Sequence, residues 1–223
     1  MKDNGLLVQY FNANTPADQT LWAKAAKDAA TLKKLGATAV WFPPATKGAA
    51  GKDDRGYAPY DLYDLGEFNQ KGSVGTRYGT KKEYLEAIDA MKAQGINVYA
   101  DIAVRQKLGA DSVEKVTAAD FNAKDIPQMI GNKKIVGALS KFTFPGRKSK
   151  YSKFKWNWNH FAGIDWQQDD FKRRVCELSG MTETEAEKKY KLSKYDYIIG
   201  SELDLYNQEV YDELMAWAKW YED

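Results

Sequence analysis

The first hundred residues alternate between short apolar runs and longer segments with helical spacing. The apolar runs have the length and the β-branched or aromatic content of buried strands: LLVQYF at 6–11, ATAVWFPP at 37–44 and INVYADIAV at 96–104. When a helix separates two strands of one sheet, the chain makes a right-handed crossover and the two strands run parallel. The alternation therefore predicts an α/β fold built on a parallel sheet.

Two amphipathic helices are expected between these strands. Thr15 is followed by proline, which is typical of an N-cap and a first helical residue, and Gly36 is placed to end this helix. The second helix begins with a capping-box pattern from Thr80 to Glu83. The apolar residues of the two helical faces are Trp22, Ala25, Ala29, Leu32 and Leu35 in the first, and Tyr84, Ile88 and Met91 in the second.

The regular alternation stops after the third strand. Functional side chains of such sheets gather at the carboxyl ends of the strands, and Arg105 and Gln106 follow the third strand directly. Residues 107–195 are polar and aromatic without a clear period, so we interpret them as a β-rich insertion. Residues 195–205 return toward the sheet, and Asn207 can cap a final helix.

Charge and composition exclude several classes of partner. The net charge of +2 gives no reason to expect binding to nucleic acid or to an anionic membrane, and short basic runs such as Arg147–Lys148 are expected on the surface. A single cysteine excludes an internal disulfide, and no apolar run has transmembrane length. The N-terminus lacks a signal-peptide pattern, so we expect a cytoplasmic location or a signal removed beforehand.

The chain resembles the liquefying-type α-amylases of bacteria in several segments that occur in the same order: GLLVQYF, TAVWFPPATKG, PYDLYDLGEFNQKG and FPGRKSKYSKFKWNWNHFAGIDW. The resemblance implies part of a (β/α)8 barrel, with about three strand–helix units and the β-rich domain B of that family. The expected domains are a first barrel part at 1–104, a domain B-like insertion at 105–204 and a third barrel helix at 205–223.

The chain departs from the family pattern at positions that matter for function. The third strand of the family ends in Asn-His, which bind calcium and sugar, and these positions are Arg105 and Gln106 here. Ala162 stands where the family has an Asp calcium ligand, and Ala13 stands where it has a tryptophan near the cleft. These changes imply that the chain holds no cofactor and that the calcium site of the family is lost.

We therefore expect Arg105 to take the place of the family's calcium ion. Its guanidinium would lie in an ion-pair cluster with Asp196, Glu202 and Asp204, since a planar fork of donors suits carboxylates. The alternative is that Arg105 points into solvent.

The resemblance assigns no catalytic residue to this chain, because the family's three catalytic carboxylates would follow residue 223. Asp101 matches a strand position of the family to which we assign a structural role, and His160 is expected to be a packing residue. The substrate contacts implied by the resemblance are Tyr57, which would stack on sugar, and Gln106. Tyr57 could equally be a packed structural residue.

Two classes of function remain open. The chain could be a truncated α-amylase relative that is not an enzyme alone, with weak α-glucan binding or a scaffold role. It could instead be an active α-1,4-glucan hydrolase completed by a second chain or by a missing C-terminal part. An open sheet exposes strand edges and an apolar face, so we expect self-association, most simply as a homodimer, or a complementing chain.

Overall fold

The computed structural model describes residues 4–121, 129–169, 172–177 and 199–222. The chain divides into two compact units: unit 1 is 1–104 with 145–151, and unit 2 is 105–144 with 152–223. The domain division expected from the sequence stays a prediction. In chain order the elements are β1 (Leu7–Gln9), α1 (Leu21–Lys34), β2 (Ala39–Phe42), β3 (Lys47–Gly48), β4 (Pro59–Asp61), α2 (Lys81–Ala93), β5 (Asn97–Ala100), β6 (Gln106–Lys107), β7 (Ser112–Phe121), β8 (Met129–Lys141), β9 (Phe161–Gln167), β10 (Lys172–Glu177), β11 (Ser201–Leu203) and α3 (Gln208–Glu222).

Unit 1 is built on a three-stranded sheet in the order β1-β2-β5. Both pairs of strands are parallel, which confirms the prediction made from the alternation of strands and helices. The fully buried Val40 and Phe42 of β2 lie on the face that meets the helices, where Phe42 packs 5.2 Å from the ring of Trp22 in α1. The three strands form no closed barrel among the residues that the structure describes.

Helix α1 starts later than the sequence pattern indicated. The helix begins at Leu21, and Thr20 is the residue before it. The predicted cap, Thr15, lies in a turn, where its hydroxyl accepts a hydrogen bond from the Asn12 backbone N–H at 2.9 Å. The Thr15 carbonyl accepts from Arg77 Nε at 2.9 Å, so a residue distant in the sequence holds this turn. The predicted start was therefore wrong, whereas the predicted buried residues Trp22, Ala25, Ala29 and Leu32 are confirmed. The prediction for Leu35 was also wrong, because this residue follows the end of the helix and is 70% exposed.

Helix α2 begins with the predicted capping box. The Thr80 hydroxyl accepts from the Glu83 backbone N–H at 3.4 Å, and the Glu83 carboxylate accepts from the Thr80 N–H at 2.8 Å. Tyr84, Ala87 and Met91 form its buried face. Because each group of the box satisfies an N–H that the first turn leaves unpaired, the short polar pattern fixes where the helix starts.

Unit 2 contains a six-stranded antiparallel sheet in the order β6-β11-β9-β10-β7-β8. Strand β8 also lies close to the middle of this sheet, because the Gly137 carbonyl accepts from Gln168 N–H at 2.9 Å. The Leu139 carbonyl likewise accepts from the Ser201 hydroxyl of β11 at 2.8 Å. The β-rich character expected after the third strand is therefore present, while equating unit 2 with domain B of the amylases stays a prediction.

An aromatic cluster forms the core of unit 2. Phe142 and Trp156 pair through a β-bridge and both are buried, with Phe161 packed beside them. Trp158 is exposed, but it lies in a 3-10 turn rather than on a strand. Trp156 therefore belongs to the core of unit 2, whereas Trp158 lies on its surface.

Helix α3 is joined to the segment around residues 152–160 of unit 2. The Ser152 hydroxyl donates to Glu213 Oε1 at 2.7 Å, and the Asn207 side chain donates to the Asn159 carbonyl at 3.0 Å. The Asn207 side-chain oxygen accepts from the Glu209 backbone N–H at 2.9 Å, as the predicted cap requires. None of the helices described is long and apolar enough to cross a bilayer.

Candidate functional site

In unit 1 an exposed tyrosine lies at the carboxyl end of the parallel sheet. Tyr57 belongs to the loop between the hairpin strands β3 and β4, and 46% of its surface is exposed. Its hydroxyl donates to Asp101 Oδ2 at 2.6 Å. Asp101 follows β5, and its backbone N–H binds the Phe42 carbonyl at 2.9 Å, so it extends the ladder between β2 and β5.

The surroundings of the Tyr57 hydroxyl favour its neutral, protonated form. Partial burial raises the pKa of the Tyr57 hydroxyl, and the hydrogen bond to the Asp101 carboxylate raises it further. The hydroxyl is therefore a permanent donor at neutral pH. One edge of the ring is anchored by a strand-end carboxylate while the ring itself stays accessible, which is the arrangement that a stacking surface for a ligand needs.

A buried ionic cluster lies at the base of the same hairpin. The Arg147 Nε donates to Asp61 Oδ2 at 2.7 Å, and the side chains of both residues are 1% exposed. Gln70 Nε2 donates to Asp61 at 2.9 Å and to Asp64 at 3.0 Å. The expectation that Arg147 is a surface residue was therefore wrong, because its charge is compensated inside unit 1 by an acid that lies 86 residues away in the sequence.

In unit 2 the side chain of Arg105 binds Glu202. Arg105 precedes β6, and its Nε and Nη2 donate to Glu202 Oε1 at 3.0 and 2.8 Å. Both donors converge on one oxygen, so these two bonds are not the parallel fork that binds both oxygens of a carboxylate. The Arg105 side chain is 43% exposed and that of Glu202 is 16% exposed.

The other positions of interest in the sequence around this pair are Gln106, Asp204, Ala162 and Asp196. Gln106 is the register partner of Glu202 across β6 and β11. Asp204 accepts from the Tyr206 backbone N–H at 3.0 Å and so supports the turn before α3. Ala162 lies in β9, and Asp196 is outside the residues that the structure describes.

His160 uses both ring nitrogens within unit 2. Its Nδ1 accepts from the Asn157 backbone N–H at 3.0 Å, so the proton of the neutral ring lies on Nε2. Nε2 lies 3.0 Å from Glu209 Oε2 in α3, and the Phe154 ring is 4.8 Å away. The ring therefore packs and orients the start of α3, as a structural histidine would.

The comparisons with known proteins point to one family. No family model matches the chain. An α-amylase of Geobacillus stearothermophilus is 47% identical over 219 residues, which are 98% of this chain and 40% of that protein. An α-amylase of Bacillus licheniformis is 42% identical and a glucan 1,4-α-maltohexaosidase of Bacillus sp. (strain 707) is 41% identical, each over 98% of this chain and 42% of the relative.

This chain is homologous to part of the bacterial α-amylases. It spans about two fifths of the length of the curated relatives it matches. An identity above two fifths over nearly the whole chain is far more than a shared fold alone produces, so the resemblance of the motifs reflects common descent.

The loss of the family's calcium site near Arg105 stays a prediction. A calcium ion needs six to eight oxygen ligands. Here Glu202 Oε1 accepts a hydrogen bond from the Arg105 guanidinium, with Nη2 at 2.8 Å. Among the described residues no three His, Cys, Asp or Glu side chains form a group that could hold a metal ion. The ion pair of Arg147 with Asp61 was not predicted from the sequence. The only sign of it there is the position of Asp61 within the aromatic segment PYDLYD.

Proposed function

We propose that this chain is an α-amylase-like member of a glycoside hydrolase lineage that contacts α-glucans through Tyr57, with Gln106 as a further contact. The observation that carries the proposal is the 47% identity over 98% of the chain, combined with the exposed, anchored ring of Tyr57. Sugars present apolar C–H faces and polar edges, so an exposed aromatic ring beside hydrogen-bonding groups suits them.

We also propose that the strands of unit 1 are the first part of a (β/α)8 barrel and that unit 2 corresponds to domain B. Three parallel strands separated by two helices support the first statement, and the antiparallel sheet between residues 106 and 203 supports the second. In such barrels the active site lies at the carboxyl ends of the strands, which is where Tyr57 and Asp101 meet.

These 223 residues alone should not hydrolyse α-glucans. Retaining glycosidases need two carboxyl groups about 5–5.5 Å apart, one as nucleophile and one as acid. Asp101 is bound by the Tyr57 hydroxyl, and no acidic residue of this chain matches the family's nucleophile or acid motif. Loss of such groups costs about six orders of magnitude in rate in a well-studied protease.

The first prediction is that the purified 223-residue chain releases no reducing ends from soluble starch above a buffer control. The assay uses micromolar protein and long incubation, so that even a rate about 10⁵ times below that of a typical enzyme at 10 per second is detectable. Release of maltooligosaccharides that co-purifies with the protein would contradict this prediction, because the activity would then come from residues of this chain alone.

Glucan contact at Tyr57 is tested separately by titrating the chain with maltoheptaose and following the NMR signals of the tyrosine rings. Tyr57→Ala should abolish the response, whereas Tyr57→Phe should retain most of it, since stacking needs the ring and not the hydroxyl. Tyr211→Ala removes a similarly exposed tyrosine of α3 and should change nothing. Equal responses of the Tyr57→Ala and Tyr211→Ala variants would remove Tyr57 from the proposal.

We further propose that the Arg105 guanidinium substitutes for the calcium of the family and neutralises the acidic groups near it. The pair with Glu202 supports this reading, and Asp196 and Asp204 remain part of the proposed cluster. The second prediction is that EDTA leaves the thermal midpoint unchanged, while Arg105→Gln destabilises the chain by about 1–3 kcal/mol, because Glu202 loses a charged donor while mostly buried.

The control for this prediction is calcium itself. If the charge of Arg105 stands in for the ion, millimolar calcium should not raise the thermal midpoint of the unaltered chain. A fall of the midpoint in EDTA that calcium reverses would contradict the substitution.

The third prediction is that this chain self-associates. Leu7 of β1 and Tyr99 of β5 lie on the face of the sheet opposite the helices, and they are 54% and 58% exposed. Each large apolar side chain left in water forgoes about 1.5–3 kcal/mol. Strands β1 and β5 are also the edges of the described sheet, and unpaired edges invite pairing.

A two-fold dimer through this face is the simplest arrangement, and a complementing chain is the alternative. Analytical ultracentrifugation at micromolar concentration should therefore show a species of twice the chain mass. Tyr99→Lys should shift it toward the monomer, whereas Tyr211→Lys, on α3, should not. A monodisperse monomer of the unaltered chain would overturn the prediction.

A further inference from the structure

Lys47 is a fully buried cation in the hairpin strand β3. Its side chain and that of Asp64 have no exposed surface. Its Nζ donates to the backbone carbonyls of Ser73 at 2.8 Å and Val74 at 2.6 Å, with those of Phe68 at 3.3 Å and Gly75 at 3.4 Å. The Asp64 Oδ2 lies 3.6 Å away.

The oxygens around this ammonium outnumber its hydrogens. An ammonium group has three N–H donors, yet four carbonyls and one carboxylate oxygen surround it within 3.6 Å. At any moment at least two of these oxygens therefore share an N–H with another oxygen or face the ammonium through its charge alone. A shell of backbone carbonyls with a single carboxylate is the coordination that proteins offer to a spherical cation, whose hydration the carbonyls replace.

From this geometry we propose that the loop of residues 68–75 and Asp64 form a monovalent-cation site, and that the side chain of Lys47 supplies its cation. The site would accept potassium or ammonium once the lysine is removed. This inference does not depend on the proposed glucan contact, since it concerns oxygens that lie inside unit 1.

The shape of the loop shows that the cage is built around a central positive charge. Asp64 Oδ1 accepts from the backbone N–H groups of Gly66 and Glu67 at 2.9 Å and of Phe68 at 3.2 Å, which turns the chain around the carboxylate. Lys71 and Gly72 then have positive φ values of 51° and 78°, which bring the carbonyls that follow back toward Nζ. Without a cation these carbonyl dipoles would converge on an empty buried point.

The charges of the neighbourhood favour a monovalent ion. Two cations, Lys47 and Arg147, face two carboxylates, Asp61 and Asp64, and all four side chains are buried. Burial lowers the pKa of the Lys47 amine, and the Asp64 carboxylate partly offsets this. One positive charge at Nζ makes this group neutral, whereas a divalent ion would leave an excess of one charge, so calcium should be a poor substitute.

The experiment compares Lys47→Ala, which opens the cage, with Lys47→Met, which fills it with an uncharged chain. Thermal midpoints are measured in ammonium, potassium and choline chloride at equal ionic strength. We expect the midpoint of Lys47→Ala to rise in ammonium or potassium over choline, by about 3–6 °C when the salt reaches ten times its dissociation constant. The unaltered chain and Lys47→Met should show no difference between the salts.

Several outcomes would overturn the inference. One is an equal salt response of Lys47→Ala and Lys47→Met, and another is failure of Lys47→Ala to fold even in concentrated ammonium. A measurement on the unaltered chain serves as a second test: acetic anhydride should modify Lys47 only as fast as the chain unfolds, and Lys82, which is 85% exposed, at once. Modification of Lys47 at a rate similar to that of Lys82 would show that the cage does not hold the amine.

Discussion

Replacing Arg147 with methionine should destabilise the chain by about 3–5 kcal/mol. The change leaves the Asp61 carboxylate buried, with Gln70 still donating to it but with the adjacent positive charge removed. A buried charge that loses its partner retains the full cost of having left water. Urea denaturation followed by tryptophan fluorescence measures the loss as a lower midpoint at an unchanged slope.

The neighbouring Lys148 provides the matched control, because it carries the same charge and is exposed. Lys148→Met should change the free energy of unfolding by less than about 0.5 kcal/mol. If the two variants lose equal stability, burial of the ion pair is not what makes Arg147 important, and the account of the hairpin base fails.

Replacing Trp22 with alanine should cost a similar amount, about 3–5 kcal/mol, for a different reason. Trp22 is fully buried, with ring centroids of Phe42, Tyr78 and Tyr84 at 5.2, 5.5 and 4.8 Å. Alanine would leave a cavity among three aromatic rings, of which Phe42 belongs to β2 and Tyr84 to α2. The same urea titration detects the effect.

A conservative variant separates packing from hydrogen bonding at this position. The Trp22 Nε1–H has no hydrogen-bond partner among the described residues, so Trp22→Phe gives up ring volume without breaking a polar contact. We expect Trp22→Phe to lower the free energy of unfolding by less than half as much as Trp22→Ala does. Leu35→Ala, at an exposed position, should change the free energy of unfolding little. A loss for Trp22→Phe as large as that for Trp22→Ala would mean that volume is not the dominant effect.

The elements that the sequence predicted are those whose signals are local. The capping box from Thr80 to Glu83 and the spacing of Trp22, Ala25 and Ala29 depend on neighbours within a few residues. The start of α1 was misplaced because Arg77, which lies 62 residues away, holds Thr15 in a turn. A local pattern cannot show such a distant partner.

The same distinction applies to the candidate site. The alternation of elements placed Arg105 at the carboxyl end of the third strand and Asp101 within that strand, which in fact ends at Ala100. Tyr57 meets Asp101 across 44 residues, and Arg105 meets Glu202 across 97. The resemblance to the α-amylases led us to expect the pair of Arg105 with Glu202, whereas nothing in the sequence predicted the contact of Tyr57 with Asp101. Arg147 was wrongly predicted to lie on the surface. Two adjacent basic residues have the pattern of a surface segment, and the acidic partner of Arg147, Asp61, lies 86 residues away in the sequence.

The cation carried by Lys47 also has a consequence for how fast the hairpin closes. In a protein that takes up a free ion, the folding rate or the folded population depends on ion concentration, because two particles must meet. Here the charge is attached to β3, which pairs with β4 at Lys47 and Asp61, so strand pairing and delivery of the charge are one unimolecular event. The refolding of this region should therefore follow first-order kinetics with a rate constant that is the same in potassium chloride and in choline chloride at equal ionic strength.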